Sequence, residues 1–424
     1  MKARRALWLF AFLLAALVFA AAGCGGGDEE GSGGGDTTGG GGGGAEGKTL
    51  KIVSDLPLQG SDRVQTTQMN EAIKFVLEES NNKAGSYDLD FEEFDDATAA
   101  AGKWDEAKCS ENARTYVETD DLVAVIGTYN SGCAAIIIPI LNEAGIAMVS
   151  PANTYAGLTH EAPGTESGEP DKYFPGGNRN YVRVVASDDN QGKVAAKYFK
   201  EKLGATKIFV LDDKELYGKG VADAFEGFAP DNGLEIVGHE GWNKDDPNYR
   251  ALMTKIKASG ADGIYIGGVS TNNGGQLMKD KVAVVGDNDQ VKVMVSDGFV
   301  LSSLFDEGGA DNVNGAIGTA PTQPPENLSG AGAKFVSDLT AKLGTTGLEV
   351  YTVYAAACAQ VLVDAIGASD GTRQGVIDQL FEVNTDTVVG PMSFDENGDP
   401  ASKVESVYLA EDGNWAWQET ISVS

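Results

Sequence analysis

Histidine is scarce in this chain of 424 residues, which contains only His160 and His239, far apart in sequence. Zinc centres and hydrolase triads both depend on imidazole, as a ligand or as a general base. The shortage therefore argues against a histidine-based metal centre and against most triads. The sequence predicts a protein that holds no metal or other cofactor and is not an enzyme, with an enzyme kept as the least favoured alternative.

Positive charge is also scarce, because 32 Lys and Arg face 63 Asp and Glu, for a formal net charge of −31. Phosphate backbones repel such a polyanion, which argues against nucleic-acid binding, and anionic membrane surfaces repel it in the same way. The phosphate-binding spacing Gly-x4-Gly-Lys-Ser/Thr is missing, and Gly218-Lys219-Gly220 lacks the third glycine of a dinucleotide-binding loop. Nucleotide binding is therefore disfavoured.

The first 23 residues have the features of an export signal. Lys2, Arg4 and Arg5 precede 17 apolar residues, 6–22, and Cys24 follows a short run of small residues. A cysteine at this point resembles the bacterial lipobox, in which it is lipidated after cleavage. The sequence predicts a signal peptide over 1–23 and a lipid anchor on Cys24, at the outer face of the cell membrane or in the periplasm. An ordinary signal peptide or one membrane-spanning helix is the alternative.

The segment that follows the cysteine has a composition that cannot form a core. Residues 25–47 contain 14 glycines and 5 acidic residues. We expect 24–48, including the lipidated cysteine, to act as a flexible tether that holds a folded body away from the membrane.

From Thr49 onward the chain alternates short apolar segments with longer amphipathic ones. Residues 122–126 are continuously apolar, as in a strand buried on both faces, and residues 104–117 have helical spacing. One series of such units runs to residue 149, and a second begins near residue 180. Strand–helix–strand units imply right-handed crossovers and parallel sheets. The sequence therefore predicts an α/β fold with two doubly wound lobes, with a hinge candidate at 320–330.

Four cysteines are present, and lipidation of Cys24 would leave three. Cys109 lies in one predicted helix and Cys133 at the start of the next, and consecutive helices of one such series can touch. An exported protein can keep a disulfide, so we expect a bond between Cys109 and Cys133. Cys358 lies in an apolar helix and is expected to be a buried free thiol.

Two predicted strands end in small polar residues. The segment 127–134 (Gly-Thr-Tyr-Asn-Ser-Gly-Cys-Ala) joins a buried strand to a helix, and 150–154 (Ser-Pro-Ala-Asn-Thr) follows the next strand. Ligands of open parallel sheets bind at the carboxyl ends of strands, and a helix start offers free N–H groups to an anion. The pattern indicates a carboxylate site, although Ser131 and Thr154 could instead be helix caps.

Segments throughout residues 49–424 match one known family. They are Ile126-Gly127 with Ser131-Gly132, Asn142–Ile146, Val149–Thr154 with Leu158-Thr159, Arg183 with Asn190–Gly192, Tyr217-Gly218, Asp262–Gly268, Ser296–Gly298 and Gly390–Asp395. Their order and spacing are similar to those of the periplasmic binding proteins for branched-chain amino acids, in the type I family of ABC-transporter receptors.

The resemblance implies two lobes joined by three crossovers, with a ligand in the cleft between them. Lobe 1 would consist of 49–183 and 322–388, and lobe 2 of 184–321 and 389–424. The likeness also implies that Ser131, the backbone of Ala152 or Asn153, and Thr154 hold the ligand's α-carboxylate.

The resemblance implies further that Tyr217 lines the cleft from lobe 2 and that Asp297 pairs with the α-ammonium. Two positions depart from the family pattern: Val269 stands where an aromatic residue often covers the ligand, and the loop 56–62 lacks its usual aromatic residue. Tyr129 would then close the pocket in their place.

Together these features predict a lipid-anchored receptor that delivers an amino acid, of a branched-chain or other aliphatic type, to an ABC permease. We expect a monomer, because two lobes must stay free to hinge. An amide, a urea-like compound or an aromatic acid is the alternative ligand, and a ligand sensor is the alternative role.

Overall fold

The computed structural model describes residues 47–423. The predicted signal peptide, Cys24 and almost all of the predicted tether lie outside the described residues. Within the described range, no single helix has the length and hydropathy of a membrane span, and only the bent pair Thr352–Ala368 and Arg373–Phe381 meets that test when taken together.

Strands and helices alternate along the chain. The first part contains β1 (Thr49–Leu56), α1 (Arg63–Glu79), β2 (Lys83–Ala84), β3 (Tyr87–Asp95), β4 (Ala97–Thr98), β5 (Lys103–Trp104), α2 (Glu106–Glu118), β6 (Leu122–Gly127), α3 (Ser131–Ala144), β7 (Ala147–Ser150) and β8 (Tyr181–Arg183). The middle contains α4 (Asp188–Tyr198), β9 (Lys207–Asp212), α5 (Leu216–Phe228), β10 (Glu235–Gly241), α6 (Arg250–Ser259), β11 (Gly263–Gly267), α7 (Gly274–Val284), β12 (Lys292–Val295), α8 (Ser303–Gly308), α9 (Ala310–Val313) and β13 (Ile317–Ala320). The last part contains α10 (Ala331–Leu343), α11 (Thr352–Ala368), α12 (Arg373–Phe381), β14 (Asn384–Thr387), β15 (Gly390–Ser393), β16 (Lys403–Glu411) and β17 (Asn414–Val423).

Lobe 1 is built on a six-stranded sheet in the order β2-β3-β1-β6-β7-β8, in which only β2 and β3 pair in the antiparallel sense. Helices cover both of its faces. In β1, Ile52 packs in the cluster that contains α1 and α11, whereas Val53 packs in the cluster that contains α2 and α3. A strand covered on both sides has no solvent face, which is why β6 is apolar throughout.

Lobe 2 is built on a seven-stranded sheet in the order β10-β9-β11-β12-β13-β16-β17. The strands are parallel as far as β13, but β16 pairs with β13 and with β17 in the antiparallel sense. The sheet is therefore mixed, and the long hairpin formed by β16 and β17 was not part of the sequence prediction.

The chain passes between the two sheets three times: after β8, after β13, and between β15 and β16. The predicted α/β fold of two doubly wound lobes joined by three crossovers is confirmed. Helices α10–α12 return to lobe 1, where α11 packs against α1 and β6. As lobe boundaries we propose 49–183 with 322–388, and 184–321 with 389–424.

The cysteines of lobe 1 fix the start of α3. Cys109 in α2 and Cys133 in the first turn of α3 form a disulfide, with an S–S distance of 2.03 Å. Cys358 is a buried free thiol in α11. The bond joins the two helices that cover the same face of the sheet, beside the polar strand ends.

A buried ion pair lies where the first and third crossovers meet. The Arg183 side chain is fully buried, and its Nε donates to Asp399 Oδ1 at 2.6 Å. Its Nη1 donates to the carbonyl oxygens of Asn153 and Tyr155 at 3.1 and 2.9 Å. Burial opposes ionisation of Asp399, yet Arg183 and His160 hold its pKa far below the usual range. The guanidinium thus supports the polar strand end 150–154 from behind.

His160 adds a pH-dependent contact to the Arg183–Asp399 ion pair. Its Nδ1 lies 2.7 Å from Asp399 Oδ2, and its Nε2 lies 3.4 Å from Asp189 Oδ1. Burial lowers the pKa of His160, but the two carboxylates outweigh burial and raise the pKa to about 9. His160 therefore binds its proton more tightly in the folded chain than in the unfolded chain.

We expect His160→Gln to lower the free energy of unfolding by roughly 2–3 kcal/mol below pH 6.5, the unfolded pKa of histidine. The contribution is complete there and is lost as pH rises through the folded pKa of about 9. Urea unfolding of both proteins at pH 6, 8 and 10 measures the difference. A difference that stays constant with pH would contradict this account.

Candidate ligand site between the lobes

A small cavity lies between the two lobes at the carboxyl ends of their strands. The space open to the centre of a water molecule is about 20 Å³, room for about one water, so the lobes are closed around the site. Six of the seven predicted ligand residues line this ligand cavity. They are Tyr129, Ser131, Ala152 and Thr154 from lobe 1 and Tyr217 and Asp297 from lobe 2, joined by Asn130, Val269, Gly298 and Tyr351.

The lobe 1 end of the cavity has unused polar atoms. Within the described range, Thr154 Oγ1 and Asn130 Oδ1 are buried and have no hydrogen-bond partner of good geometry, and Asn130 precedes α3 without capping it. The Thr154 hydroxyl lies close enough to the Asp188 carboxyl to oppose the rise in its pKa. Ser131 Oγ accepts from the Tyr155 N–H at 3.3 Å. Thr154 and Ser131 therefore do not cap α3, and the start of this helix is open to an anion.

Asn153 lies behind the cavity rather than in its wall. Its Nδ2 donates to the Tyr129 carbonyl oxygen at 3.0 Å, and the Tyr181 hydroxyl donates to its Oδ1 at 3.3 Å. The backbone N–H groups of Ala152 and Asn153 both donate to Ser150 Oγ, at 3.2 and 2.8 Å. The predicted backbone donors are thus already occupied, and Asn153 positions Tyr129 instead.

Asp297 follows β12 and supplies the charge at the lobe 2 end. Its Oδ1 accepts from Gln191 Nε2 at 2.7 Å and from the Tyr217 hydroxyl, and its Oδ2 accepts from the Tyr351 hydroxyl at 2.7 Å. Burial raises the pKa of Asp297, and these three donors oppose the rise. The carboxylate is therefore held in place by residues from both lobes.

Two more acids lie behind Asp297. Asp188 and Glu405 are buried, and none of their carboxylate oxygens has a hydrogen-bond partner of good geometry among residues 47–423. Burial raises the pKa of both well above the usual range, and the charge of Asp297 adds to the rise. The backbone N–H of Asp188 donates to the Thr154 carbonyl oxygen at 2.8 Å. With these two acids held in the neutral form, Asp297 is the acid of this group that lines the cavity, and its carboxylate favours a cation there.

Tyrosine rings form the apolar wall on the lobe 1 side. The rings of Tyr129 and Tyr351 meet edge to face with centroids 6.0 Å apart, and the Tyr129 hydroxyl accepts from Gln65 Nε2 at 2.8 Å. Val269 faces them from lobe 2. Tyr129 thus lines the cavity, and its role as a substitute for the missing aromatic residues stays a prediction.

Polar contacts hold the lobes together outside the cavity. Lys103 Nζ pairs with Glu215 and donates to Asn272 Oδ1 at 2.8 Å, and Trp104 Nε1 donates to Glu215 Oε2 at 3.1 Å. Within lobe 1, the Trp104 ring packs against the side of α3 at Gly132, where an added Cβ would lie 2.6 Å from the ring. The contacts of Lys103 and Trp104 with Glu215 and Asn272 cross between the lobes and require the lobes to be close.

Comparison with known proteins identifies the family to which the chain belongs. A family model described as periplasmic binding protein matches residues 49–414. The chain belongs to this family. As a periplasmic binding protein, it is a substrate-binding receptor of the ABC-transporter type that acts outside the cytoplasm. It is 30% identical over 291 residues to an amino acid binding protein of Pseudomonas aeruginosa, over 68% of this chain and 71% of that one.

Solved structures show the same fold. The branched-chain amino acid transporter substrate binding protein LivJ of Streptococcus pneumoniae, in complex with isoleucine, has a TM-score of 0.74 and 21% identity over 89% of this chain and 99% of that one. A solute binding protein of an ABC transporter from Rhodopseudomonas palustris, in complex with p-hydroxybenzoic acid, has a TM-score of 0.73 and 20% identity over 88% and 97%. This periplasmic binding protein therefore has neighbours with different ligands.

Two groups in the described part of the binding protein have the spacing of metal ligands. One contains Cys109 and Cys133, which are used in the disulfide. In the other, His239 has its two ring nitrogens 2.7 Å from Glu226 Oε2 and 3.1 Å from Asp212 Oδ2, and Lys219 pairs with the neighbouring Asp223. A lysine ammonium at that position repels a metal cation, so the second group is an ion cluster.

Sequence reasoning missed two residues that hold Asp297 in place. Gln191 lies in a segment that matched the family, but nothing local indicated that its amide would bond Asp297 across 106 residues. Tyr351 lies immediately before α11, in a stretch without a motif, and bonds Asp297 across 54 residues.

Proposed function

We propose that this periplasmic binding protein binds a small zwitterionic amino acid between its lobes and delivers it to an ABC permease. The observation that carries the proposal is that one cavity has groups suited to a carboxylate at one end and a group suited to an ammonium at the other. Unpartnered Thr154 Oγ1 and the open start of α3 suit a carboxylate, and Asp297 at the other end suits an ammonium group.

Binding would require the lobes to separate and close again, because the closed cavity holds about one water. The three crossovers are the segments that such a hinge motion would bend. No bond is made or broken in the ligand. Ligand release would follow when the permease favours the open arrangement.

A lipid anchor on Cys24, a flexible tether and a monomeric state complete the proposal. Cys24 is outside the described residues, so the anchor is supported by the amino-terminal sequence alone. A monomer is supported by the need of both lobes to move. Residues 24–48 would let the receptor reach the permease while it stays on the membrane.

The charge of Asp297 in the cavity disfavours one of the alternative ligand classes and allows the other. An aromatic acid carries a negative charge without an ammonium group, and in this cavity it would face the Asp297 carboxylate without compensation. An amide or a urea-like compound could donate N–H groups to Asp297 and would avoid this cost. Amides are therefore the second candidate class.

We expect leucine, isoleucine or valine to stabilise the protein by about 2.7 kcal/mol at 100 times the dissociation constant. A thermal-shift screen of the twenty amino acids, with p-hydroxybenzoate, acetamide and urea added, measures this effect. N-acetylleucine and leucinol are the matched controls, since each lacks one of the two charges. Stabilisation by p-hydroxybenzoate alone, or by urea alone, would contradict the amino-acid proposal.

A further inference from the structure

Asn130 stands at the position that usually caps a helix, immediately before α3, but its side chain makes no capping hydrogen bond. Asparagine is one of the best capping residues, because its side-chain oxygen accepts from the free N–H groups of the first turn. Here Asn130 Oδ1 is buried and has no hydrogen-bond partner of good geometry among residues 47–423. Buried polar groups in folded proteins almost always have partners, so this amide is available to a ligand.

Asn130 lies within reach of any ligand in the cavity between the lobes. Only 7% of the residue is exposed, and it forms part of the cavity wall. Its backbone is held in place, since its carbonyl oxygen accepts from Thr128 Oγ1 at 2.8 Å and from the Ala134 N–H at 3.1 Å. The closed cavity has room for about one water, so a ligand that occupies it contacts the groups of its wall.

Three tyrosine hydroxyls at this cavity already have partners. Those of Tyr217 and Tyr351 donate to Asp297, and that of Tyr129 accepts from Gln65 Nε2 at 2.8 Å. These groups hold the wall of the cavity together and keep the acid at its lobe 2 end in place. The uncommitted amide at the lobe 1 end is the contrasting case.

The lobe 1 end lacks two of the donors that the family resemblance implied for the α-carboxylate. The backbone N–H groups of Ala152 and Asn153 are both taken by a neighbouring serine hydroxyl. The Thr154 hydroxyl lies beside the Asp188 carboxyl. A buried carboxylate needs hydrogen bonds to both of its oxygens, and a side-chain amide carries two N–H donors. Asn130 can therefore supply what the backbone of this loop does not.

We propose that the Asn130 side-chain amide donates an N–H hydrogen bond to the α-carboxylate of the bound amino acid. The inference rests on the proposed amino-acid site and adds a contact that the sequence pattern did not assign. The wall of the cavity, as far as residues 47–423 form it, has no lysine or arginine. The carboxylate is thus recognised by neutral donors and by the start of α3, and the residue at position 130 decides whether this end of the site takes an anion.

Asn130→Asp tests the assignment, because aspartate has nearly the same shape but carries a negative charge and no N–H donor. We expect leucine to bind about a hundredfold more weakly at pH 7, since two carboxylates would then face each other. Leucinamide has a neutral carboxamide in place of the carboxylate, and its N–H groups can donate to the introduced acceptor. Its affinity should stay within about threefold of that for the unaltered protein.

Isothermal titration calorimetry on the full chain measures both affinities. If another amino acid stabilises the protein more strongly in the thermal-shift screen, that amino acid and its primary amide replace leucine and leucinamide. Equal weakening of the two ligands in Asn130→Asp, or no weakening of either, overturns the proposal.

Gln68→Glu is the matched control for the added charge. Gln68 Oε1 accepts from the Glu349 N–H at 2.8 Å and from the Thr352 hydroxyl at 3.0 Å, and glutamate keeps both roles. The residue is in lobe 1 but does not line the cavity. The ratio of leucine to leucinamide affinity should therefore stay within about twofold of its value in the unaltered protein.

Asn130→Ala decides the question if Asn130→Asp folds poorly. It removes the donor without adding a charge, so we expect leucine to bind about tenfold more weakly. Leucinol, which lacks the carboxylate, should lose less than about threefold. Equal losses for leucine and leucinol would overturn the proposal. Failure of every amino acid to bind the unaltered protein is a separate result, which overturns the amino-acid site itself.

Discussion

Asp297→Asn is expected to weaken amino-acid binding about a hundredfold or more, which corresponds to roughly 3 kcal/mol. The α-ammonium would lose its only proposed charge partner inside a closed cavity, where water cannot replace it. Asparagine has nearly the same shape, so Gln191 and Tyr351 keep a residue to contact. Isothermal titration with the best amino acid of the screen measures the loss.

The melting temperature of Asp297→Asn distinguishes a loss of ligand binding from a loss of folding. Asp297 is a buried acid whose pKa is raised chiefly by burial, so removing its charge should leave the melting temperature of the empty protein equal or higher. Glu405→Gln is the matched control, because Glu405 is equally buried but does not line the cavity. Affinity in Asp297→Asn within threefold of the unaltered protein would refute the assigned role.

Asp399→Ala is expected to lower the free energy of unfolding by about 3–5 kcal/mol. The substitution leaves the fully buried Arg183 guanidinium with carbonyl and hydroxyl partners but no counter-charge. His160 loses one of its two carboxylates at the same time. Urea unfolding at pH 7 measures the change.

Asp395→Ala is the control for that measurement. Asp395 lies in the same turn, but among the described residues its carboxylate accepts hydrogen bonds from the backbone N–H groups of Asn397 and Asp399 alone. Loss of such bonds costs about 1 kcal/mol. Equal effects of the two substitutions would show that the turn, and not the Arg183–Asp399 charge pair, stabilises this region.

The two lobes could be predicted because their signal is local. Each buried strand is a short apolar run, such as β6, and each covering helix has its own periodicity. The hairpin of β16 and β17 escaped prediction, because β17 lies at the edge of the sheet, has only exposed and half-buried residues, and lacks the long apolar run of a buried strand.

The candidate site also contains residues that could be predicted from local sequence and residues that could not. Strand ends with small polar residues are visible in sequence, which is why Ser131 and Thr154 could be named before the fold was known. Hydrogen bonds between distant segments are not visible. The commitment of the Asn153 amide to Ser150, and the bonds of Gln191 and Tyr351 to Asp297, depend on packing that brings separate strand ends together. The assignment of ligand atoms to these residues stays a prediction.

The Arg183–Asp399 pair also affects the order in which segments of the chain can fold. The two residues are separated by 216 positions, so a nascent chain exposes the guanidinium long before its counter-ion has been synthesised. Amino-terminal segments can collapse early, but burying that cation without a partner is strongly unfavourable. We therefore expect β8 to complete the first sheet only after the segment around residue 399 has been synthesised, and a chain truncated before residue 399 to leave Arg183 without its counter-ion.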